Sequence, residues 1–503
     1  MKRFCSYHPA KWEAFAFLMI PILVGILSAT CFGNDIWFLV RTGEEILVNG
    51  FPHVDFLTFH ENLTLVAQQW LVDVFFFFVY DISGKTGLYL LTIFVNIYLV
   101  FITYQLLMLV TDKKRNLSIL FTCIITSILA FFFLSPRPQI FSFAILFTEL
   151  YVLELYMKKK NTKILYFLPL LSWLMIQLHA SLWPMLFCFW LPFFLDTFSF
   201  SIGRLSSDAK PKKPLLIAFL FMILVGFINP YGVDAIFYLS RSISSSSLYH
   251  VVTEMRVPDI HTFAGLVSYF CLFVVWISYF IFTKSKIKIR HFLLLLGTTY
   301  LAISSWRGLA FFLIAAIYPL SYFLRFYFYQ VRDIPFTKRQ FVPLAVAILF
   351  LGIVPLSLIL FSDGVFMNSS TQEGIDYLLE NEKADEVRLY CGYGECTYAE
   401  YRGVKSYIDS RAEVFIKENN QQVDILDEMF YLQNHALDYH EFLEKYQFTH
   451  LLVTEDDYLY QLLLHDSDYE IFFSGVEAKT SHSLQEDQLR HYIIFKVNFK
   501  SKL

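Results

Sequence analysis

Charge is what this sequence has least of. Asp, Glu, Lys and Arg make up 17% of its 503 residues, against 56% hydrophobic residues that include 56 Phe and 31 Tyr. A soluble chain of this length could not hide so much apolar surface, so the composition excludes an ordinary soluble globular protein and indicates a polytopic membrane protein. The net charge of −4 does not decide for or against nucleic acid. The basic residues are scattered between apolar runs instead of forming one patch, and no nucleic-acid partner is expected. Cysteine is also sparse, with seven residues. Cys5, Cys123, Cys188 and Cys271 lie in or near apolar runs, where packing is the plain reading. No Cys/His spacing suits zinc. A small-x-small cleavage site is missing after the basic start MKRFCSYHPAKW, so the first apolar run reads as an uncleaved helix. There is no internal repeat and no low-complexity tail.

What is present is a series of apolar runs near the length of about 20 residues needed to cross a bilayer. They fall near 12–32, 86–111, 116–135, 138–157, 163–179, 181–199, 214–229, 262–283, 290–305, 308–328 and 340–361, which predicts about eleven transmembrane helices. The run WLVDVFFFFVYDI is too short to cross and reads as a helix at or re-entering the interface. The loops TDKKRN, MKKKNTK, GRLSSDAKPKKP, TKSKIKIR and LRFYFYQVRDIPFTKR are all basic, and the loops between them are poor in Lys. By the positive-inside rule this predicts a multi-pass plasma-membrane protein with a cytoplasmic N-terminus. From 362 to 503 the composition turns soluble and alternates helix and strand patterns. That predicts a small extracytoplasmic α/β domain with a largely parallel sheet, following a membrane domain over 1–361.

The stretch 33–85 is the first long polar interval. Asp35 stands at the mouth of a span. IWFLVRTGEEILVN follows as an amphipathic surface helix, and Asp55 comes in a turn after Pro52. On the same expected face lie Arg137 in SPRPQ, His179 between two spans, the turn Asn229-Pro-Tyr-Gly, the loop residues Glu254, Arg256 and Asp259, and Arg307 in SSWRG. Singly, each has a plainer reading. An Arg at a span end snorkels to headgroups, a His at a junction is structural, and Asn-Pro-Tyr-Gly is a turn by its own chemistry. Together, two carboxylates, a His and two arginines are the parts needed to move a phosphate-linked group. A carboxylate takes a proton from an acceptor hydroxyl, and arginines hold the leaving phosphate.

The order of an acid after the first span, a surface helix, a second acid and a further surface helix resembles the GT-C class of integral-membrane glycosyltransferases. The stretch DIWFLVRTGEEILVNGFPHVDFLTF, the later NPYG and the closing YIDSRAEVF are similar to a bacterial group of GT-C-like membrane proteins, over most of the chain. The resemblance implies a polyprenyl-phosphate-linked sugar as donor on the outer face, with Asp35 as base and Asp55 as a second acid. It marks Asp409-Ser410-Arg411, after the strand VKSYI, as a recurring feature. Those residues are either a ligand site at a strand end or an Asp–Arg pair pinning a loop. Where that group is expected to carry Glu-Trp, this chain has Gln69-Trp70.

The function expected is therefore transfer of a sugar from a lipid-linked donor to a glycan, protein or lipid-linked acceptor. Arg137, His179, Glu254, Arg256 and Arg307 would contact substrate. A lipid-linked saccharide flippase and a non-catalytic assembly partner are the alternatives. A divalent cation on the outer acids is possible and not required. Cys391 and Cys396 permit either a disulfide or a reduced pair. The sequons at Asn62 and Asn368 would matter only in a eukaryotic secretory host.

Overall fold

A computed structural model describes residues 11–30, 32–159, 161–243, 245–281, 286–325, 371–478 and 489–498. The expected span 340–361 and the domain division after it lie outside these residues. In chain order the helices are α1 (Lys11–Ser28), α2 (Asp35–Asn49), α3 (Trp70–Val110), α4 (Arg115–Phe133), α5 (Gln139–Lys159), α6 (Phe167–Leu178), α7 (Trp183–Leu195), α8 (Lys213–Gly226), α9 (Val233–Ile243), α10 (Ser246–Val251), α11 (Phe263–Ile281), α12 (Ile289–Ser304), α13 (Gly308–Ala315) and α14 (Ile317–Leu324). Short strands β1 (Ser201–Ile202), β2 (Leu205–Ser206) and β3 (Ile287–Lys288) form a small three-stranded sheet. Among the described residues, α3, α4, α5 and α11 are long and apolar enough to cross a membrane, and six shorter apolar helices accompany them.

The chain divides into two units. The first comprises 1–30, 86–228 and 257–365, and the second 31–85, 229–256 and 366–503. In the first unit α1 packs on α4, α6 on α8, α12 on α13, and α5 on both α6 and α7. The boundary at 85/86 falls just past a break in α3, where Gly84 has φ 57° and ψ −150°. That left-handed backbone is cheap only for glycine, and it separates the short run starting at Trp70 from the span that follows.

The second unit is built on a five-stranded sheet. Its strands are β4 (Arg388–Tyr390), β5 (Lys405–Ser406), β6 (His450–Thr454), β7 (Tyr469–Ala478) and β8 (Leu489–Val497), in the order β5-β4-β6-β8-β7. The expectation of a largely parallel sheet holds for only part of it. β5, β4 and β6 are parallel, but β8 runs antiparallel to both β6 and β7. Helix-linked strands need a crossover to lie parallel, whereas β7 and β8 pair directly as antiparallel neighbours with no helix between them among the described residues.

The outer edge of this sheet is where the early polar interval goes. Thr58 bridges Ser406 in parallel, the Phe59 amide donates to the Ser406 carbonyl at 3.2 Å, and a His60 ring nitrogen meets the Tyr407 carbonyl at 2.8 Å. Leu63 and Leu65 enter the same apolar cluster as Tyr407, Phe415, Leu426 and Phe495, and Leu248 joins from the third segment. The segment holding α9 and α10 is tied in by Ser247 donating to Asp424 at 2.9 Å and by His250 stacking on Phe430 with centroids 4.6 Å apart. Three stretches separated by hundreds of residues thus share one core. α2 lies so close to the start of α3 that a Cβ on Gly43 would sit 2.1 Å from the Asp73 carbonyl oxygen.

Candidate functional site

In the second unit the centre of the polar residues is Arg411, 7% exposed. Its Nη2 lies 2.8 Å from Asp55 Oδ1 and 2.5 Å from Asp409 Oδ2, while its Nε reaches both Asp409 oxygens at 3.1 and 2.9 Å. Asp409 also accepts the Arg411 backbone N–H at 2.6 Å, a tight turn that aims the guanidinium back over the strand end. Asp55 is fixed from its own side. It accepts from the Thr58 amide at 3.0 Å and the Thr58 hydroxyl at 2.6 Å. Asp55 from the early loop and Asp409 from the terminal domain therefore hold one arginine between them.

Their charge states differ although all three side chains are buried. Burial pushes Asp55 up, but the Arg411 charge and the Thr58 hydrogen bonds outweigh it and hold its carboxyl below the usual 3.8. Burial wins at Asp409, whose value is raised in spite of Arg411. It wins more strongly at Glu400, where the nearby Asp409 charge adds to it and the value rises well above 4.5. One arginine cannot neutralise three carboxyls, so Glu400 is the acid that keeps its proton. Arg411 is held in its charged form because Asp409 and Asp55 outweigh its desolvation. Among the described residues Arg411 Nη1, Ser410 Oγ, Glu400 Oε2, Tyr238 Oη and both Asp73 carboxylate oxygens are buried without a hydrogen-bond partner.

Asp35 occupies the first turn of α2, where a helix N-terminus favours an anion. It is half-buried. Beside it stands Tyr393, whose hydroxyl donates to the Ser410 carbonyl at 2.9 Å. Burial, and then the charges of Glu413, Asp35, Asp409 and Glu254, push the Tyr393 phenol well above its ordinary value. The charges of Asp35, Asp409 and Glu254 are thus all felt at one tyrosine. Arg256 donates to the His250 carbonyl near the end of α10.

The other predicted residues belong to the first unit. His179 Nδ1 lies 2.8 Å from Ser142 Oγ, in the second turn of α5 and just past the Arg137 turn. Trp306, next to Arg307, packs on Phe132 and Phe133 at the end of α4, with centroids 5.2 and 5.4 Å away. Arg137, His179 and Arg307 therefore gather at one end of that helical unit. Among the described residues no group of three or more His, Cys, Asp or Glu side chains is arranged to hold a metal ion.

The sequence reading missed two features. Arg290, counted there within the basic loop TKSKIKIR, is 4% exposed and bound by Glu154 at 3.0 and 3.1 Å, Asp196 at 2.5 Å and Asp208 at 2.7 Å. Glu149, in the same span as Glu154, is fully buried with both carboxyl oxygens unpartnered among the described residues. The signal was available, because two glutamates inside an otherwise apolar run are costly and need a reason.

No protein-family model matches this sequence, and no curated protein sequence matches it. Solved structures do resemble it. Archaeal oligosaccharyltransferase AglB from Archaeoglobus fulgidus, in complex with an inhibitory peptide and a dolichol-phosphate, superposes with a TM-score of 0.59 at 12% identity, over 88% of this chain and 69% of that one. The Archaeoglobus fulgidus oligosaccharyltransferase tethered to an acceptor peptide containing the NVT sequon gives 0.55 at 13% identity, over 88% and 69%. Its apo form gives 0.53 at 14%, over 88% and 70%. The fold of this chain is therefore similar to that of the archaeal oligosaccharyltransferase.

Proposed function

We propose that this protein is a membrane glycosyltransferase that moves a sugar from a polyprenyl-phosphate-linked donor to an envelope or lipid-linked acceptor on the outer face of the membrane. In this reading the chain crosses the membrane about eleven times from a cytoplasmic N-terminus, and residues 362–503 are extracytoplasmic. The observation that carries it is the joining of the early acid-bearing loop to the terminal domain in a fold similar to that of an archaeal oligosaccharyltransferase. Asp35 is the base. It sits half-buried in the first turn of α2, and Asp55, held by Arg411 and Thr58, acts as an orienting acid. Asp35 takes the acceptor hydroxyl proton, the oxygen attacks the anomeric carbon with inversion, and the polyprenyl phosphate leaves. Glu254, in the same unit as Asp35, contacts the acceptor side. Transport of a lipid-linked saccharide is the second reading, favoured by one feature: the carboxyl of Glu149 within a span, unpartnered among the described residues.

The test uses full-length protein in lipid vesicles with labelled polyprenyl-phosphate sugars. Wild type should transfer label to a glycolipid acceptor. Asp35→Asn should insert normally and transfer none. Wild-type turnover by that variant removes the base assignment, and transbilayer movement without transfer favours the second reading.

A further inference from the structure

The six residues Cys391-Gly-Tyr-Gly-Glu-Cys396 form a loop closed on itself. The two cysteines are joined by a disulfide, with Cα atoms 5.9 Å apart, and both are fully buried. The loop is held at two further points. Tyr393 donates to the Ser410 carbonyl at 2.9 Å, and Arg490 on β8 pairs with Glu395 at 3.1 Å. Gly394, at φ +79°, turns its carbonyl outward, and that carbonyl accepts the side-chain amide of Asn34 at 2.8 Å. One residue past the disulfide, the buried hydroxyl of Thr397 donates to the Asn34 backbone carbonyl at 2.8 Å.

Asn34 is the N-cap of α2. An Asn in that place ordinarily turns its side-chain oxygen back to a free amide of the first turn. Here it makes no such cap bond, and its amide is spent on the loop instead. The residue before Asp35 is therefore gripped on both its side chain and its carbonyl by the disulfide-bounded segment.

We infer that this closed loop, with Thr397, is the positioning device for Asp35, acting through Asn34. The inference rests on the reading of Asp35 as base given above. A hexapeptide ring has few conformations of its own, so the Gly394 carbonyl and the Thr397 hydroxyl meet Asn34 already ordered. Opening the ring frees both groups and lets the first turn of α2 fray. Such a disulfide persists only in an oxidising compartment, so the acid site is completed only where the terminal domain is extracytoplasmic. Thr397 and Asn34 touch no reacting atom in this scheme. They are positioning residues.

The decisive measurement is hydrogen exchange of the peptide covering 33–38 in the full chain in lipid nanodiscs. Thr397→Val keeps the side-chain shape and removes the hydroxyl, and should speed exchange there by about fivefold, the worth of one hydrogen bond. Thr397→Ser should restore the wild-type rate. Dithiothreitol, oxidised to its cyclic disulfide as it reduces Cys391–Cys396 to two thiols, should speed exchange further, with β6 unchanged. In the transfer assay Thr397→Val should lower kcat by a similar factor at an unaltered donor KM, with rescue by Thr397→Ser. Unchanged exchange over 33–38 in Thr397→Val overturns the inference. So does a loss spread equally over β6, which would mean general unfolding. A wild type that transfers no sugar defeats the proposed function while the exchange result still decides the positioning role.

Discussion

Among the described residues two buried arginines are ringed by carboxylates, one in each unit, and they are built differently. Around Arg290 the guanidinium is fully used. Nε and Nη2 take Glu154, and Nη1 takes Asp196 and Asp208. His291 adds a contact to Glu154 at 2.7 Å, and Lys288 pairs with Asp208. The cluster joins α5, the end of α7, the loop after it and the start of α12, which is what a structural fastener does. Around Arg411 the ion pairs are as short, yet Arg411 Nη1, Ser410 Oγ and Glu400 Oε2 are left over among the described residues, against Asp196 Oδ1 among the groups bound to Arg290. Nearly all buried polar groups in folded proteins find partners, so leftover ones cluster where something other than stability is being served. The contrast separates a fastener from a site.

That contrast can be broken by mutation. The largest loss is expected from Arg290→Ala, which takes the guanidinium from the buried carboxylates of Glu154 and Asp196 and should cost on the order of 3–5 kcal/mol. A sharp fall in monodisperse protein after detergent extraction would show it. Arg411→Ala strands Asp55 and Asp409 and should approach the same range, with loss confined to the second unit. Near wild-type stability in either variant would end the comparison on that side. Next comes Asp55→Asn. It removes one charge from a pair that Asp409 still holds, and roughly 1–3 kcal/mol is expected in a denaturant titration.

A pH effect should follow from His450 on β6. Burial pushes its imidazole down to about 4, so it is neutral in the folded chain. Unfolded, it titrates near its ordinary 6.5. The unfolded state therefore binds the extra proton, and the stability contributed by keeping His450 neutral is full above pH 6.5 and is lost as pH falls from 6.5 towards 4. The melting temperature of the second unit should drop across that window, and His450→Gln should flatten the drop. The smallest effect is expected at Glu400→Gln. A carboxyl that keeps its proton is close to an amide in shape and charge, so the change should stay within about 0.5 kcal/mol. Glu154→Gln, by contrast, removes a charge that Arg290 and His291 both use. Equal effects from the two glutamine variants would refute the assignment of charge states.

The sequence by itself determined the class of molecule. Charge scarcity and runs of about 20 apolar residues leave a helical membrane protein as the outcome, because bilayer thickness imposes that period directly on the chain. Local patterns also marked 362–503 as alternating helix and strand, as in the helix Tyr439–Tyr446 followed by the strand His450–Thr454, since alternation and capping are short-range signals. Asp55, Asp409 and Arg411 were each visible as polar residues near strand ends or turns. That they are one cluster was not visible, because 354 residues separate Asp55 from Asp409 (409 − 55) and no local rule links them. The same holds for Arg290, which reads as a loop cation by sequence and becomes buried only when Glu154, Asp196 and Asp208 arrive from other elements. Tertiary structure decided which acids share an arginine, which acid keeps its proton, and that Asn34 serves the loop at Gly394 and not its own helix. Those outcomes depend on burial and on charges brought within a few ångströms, quantities that exist only once the chain has folded.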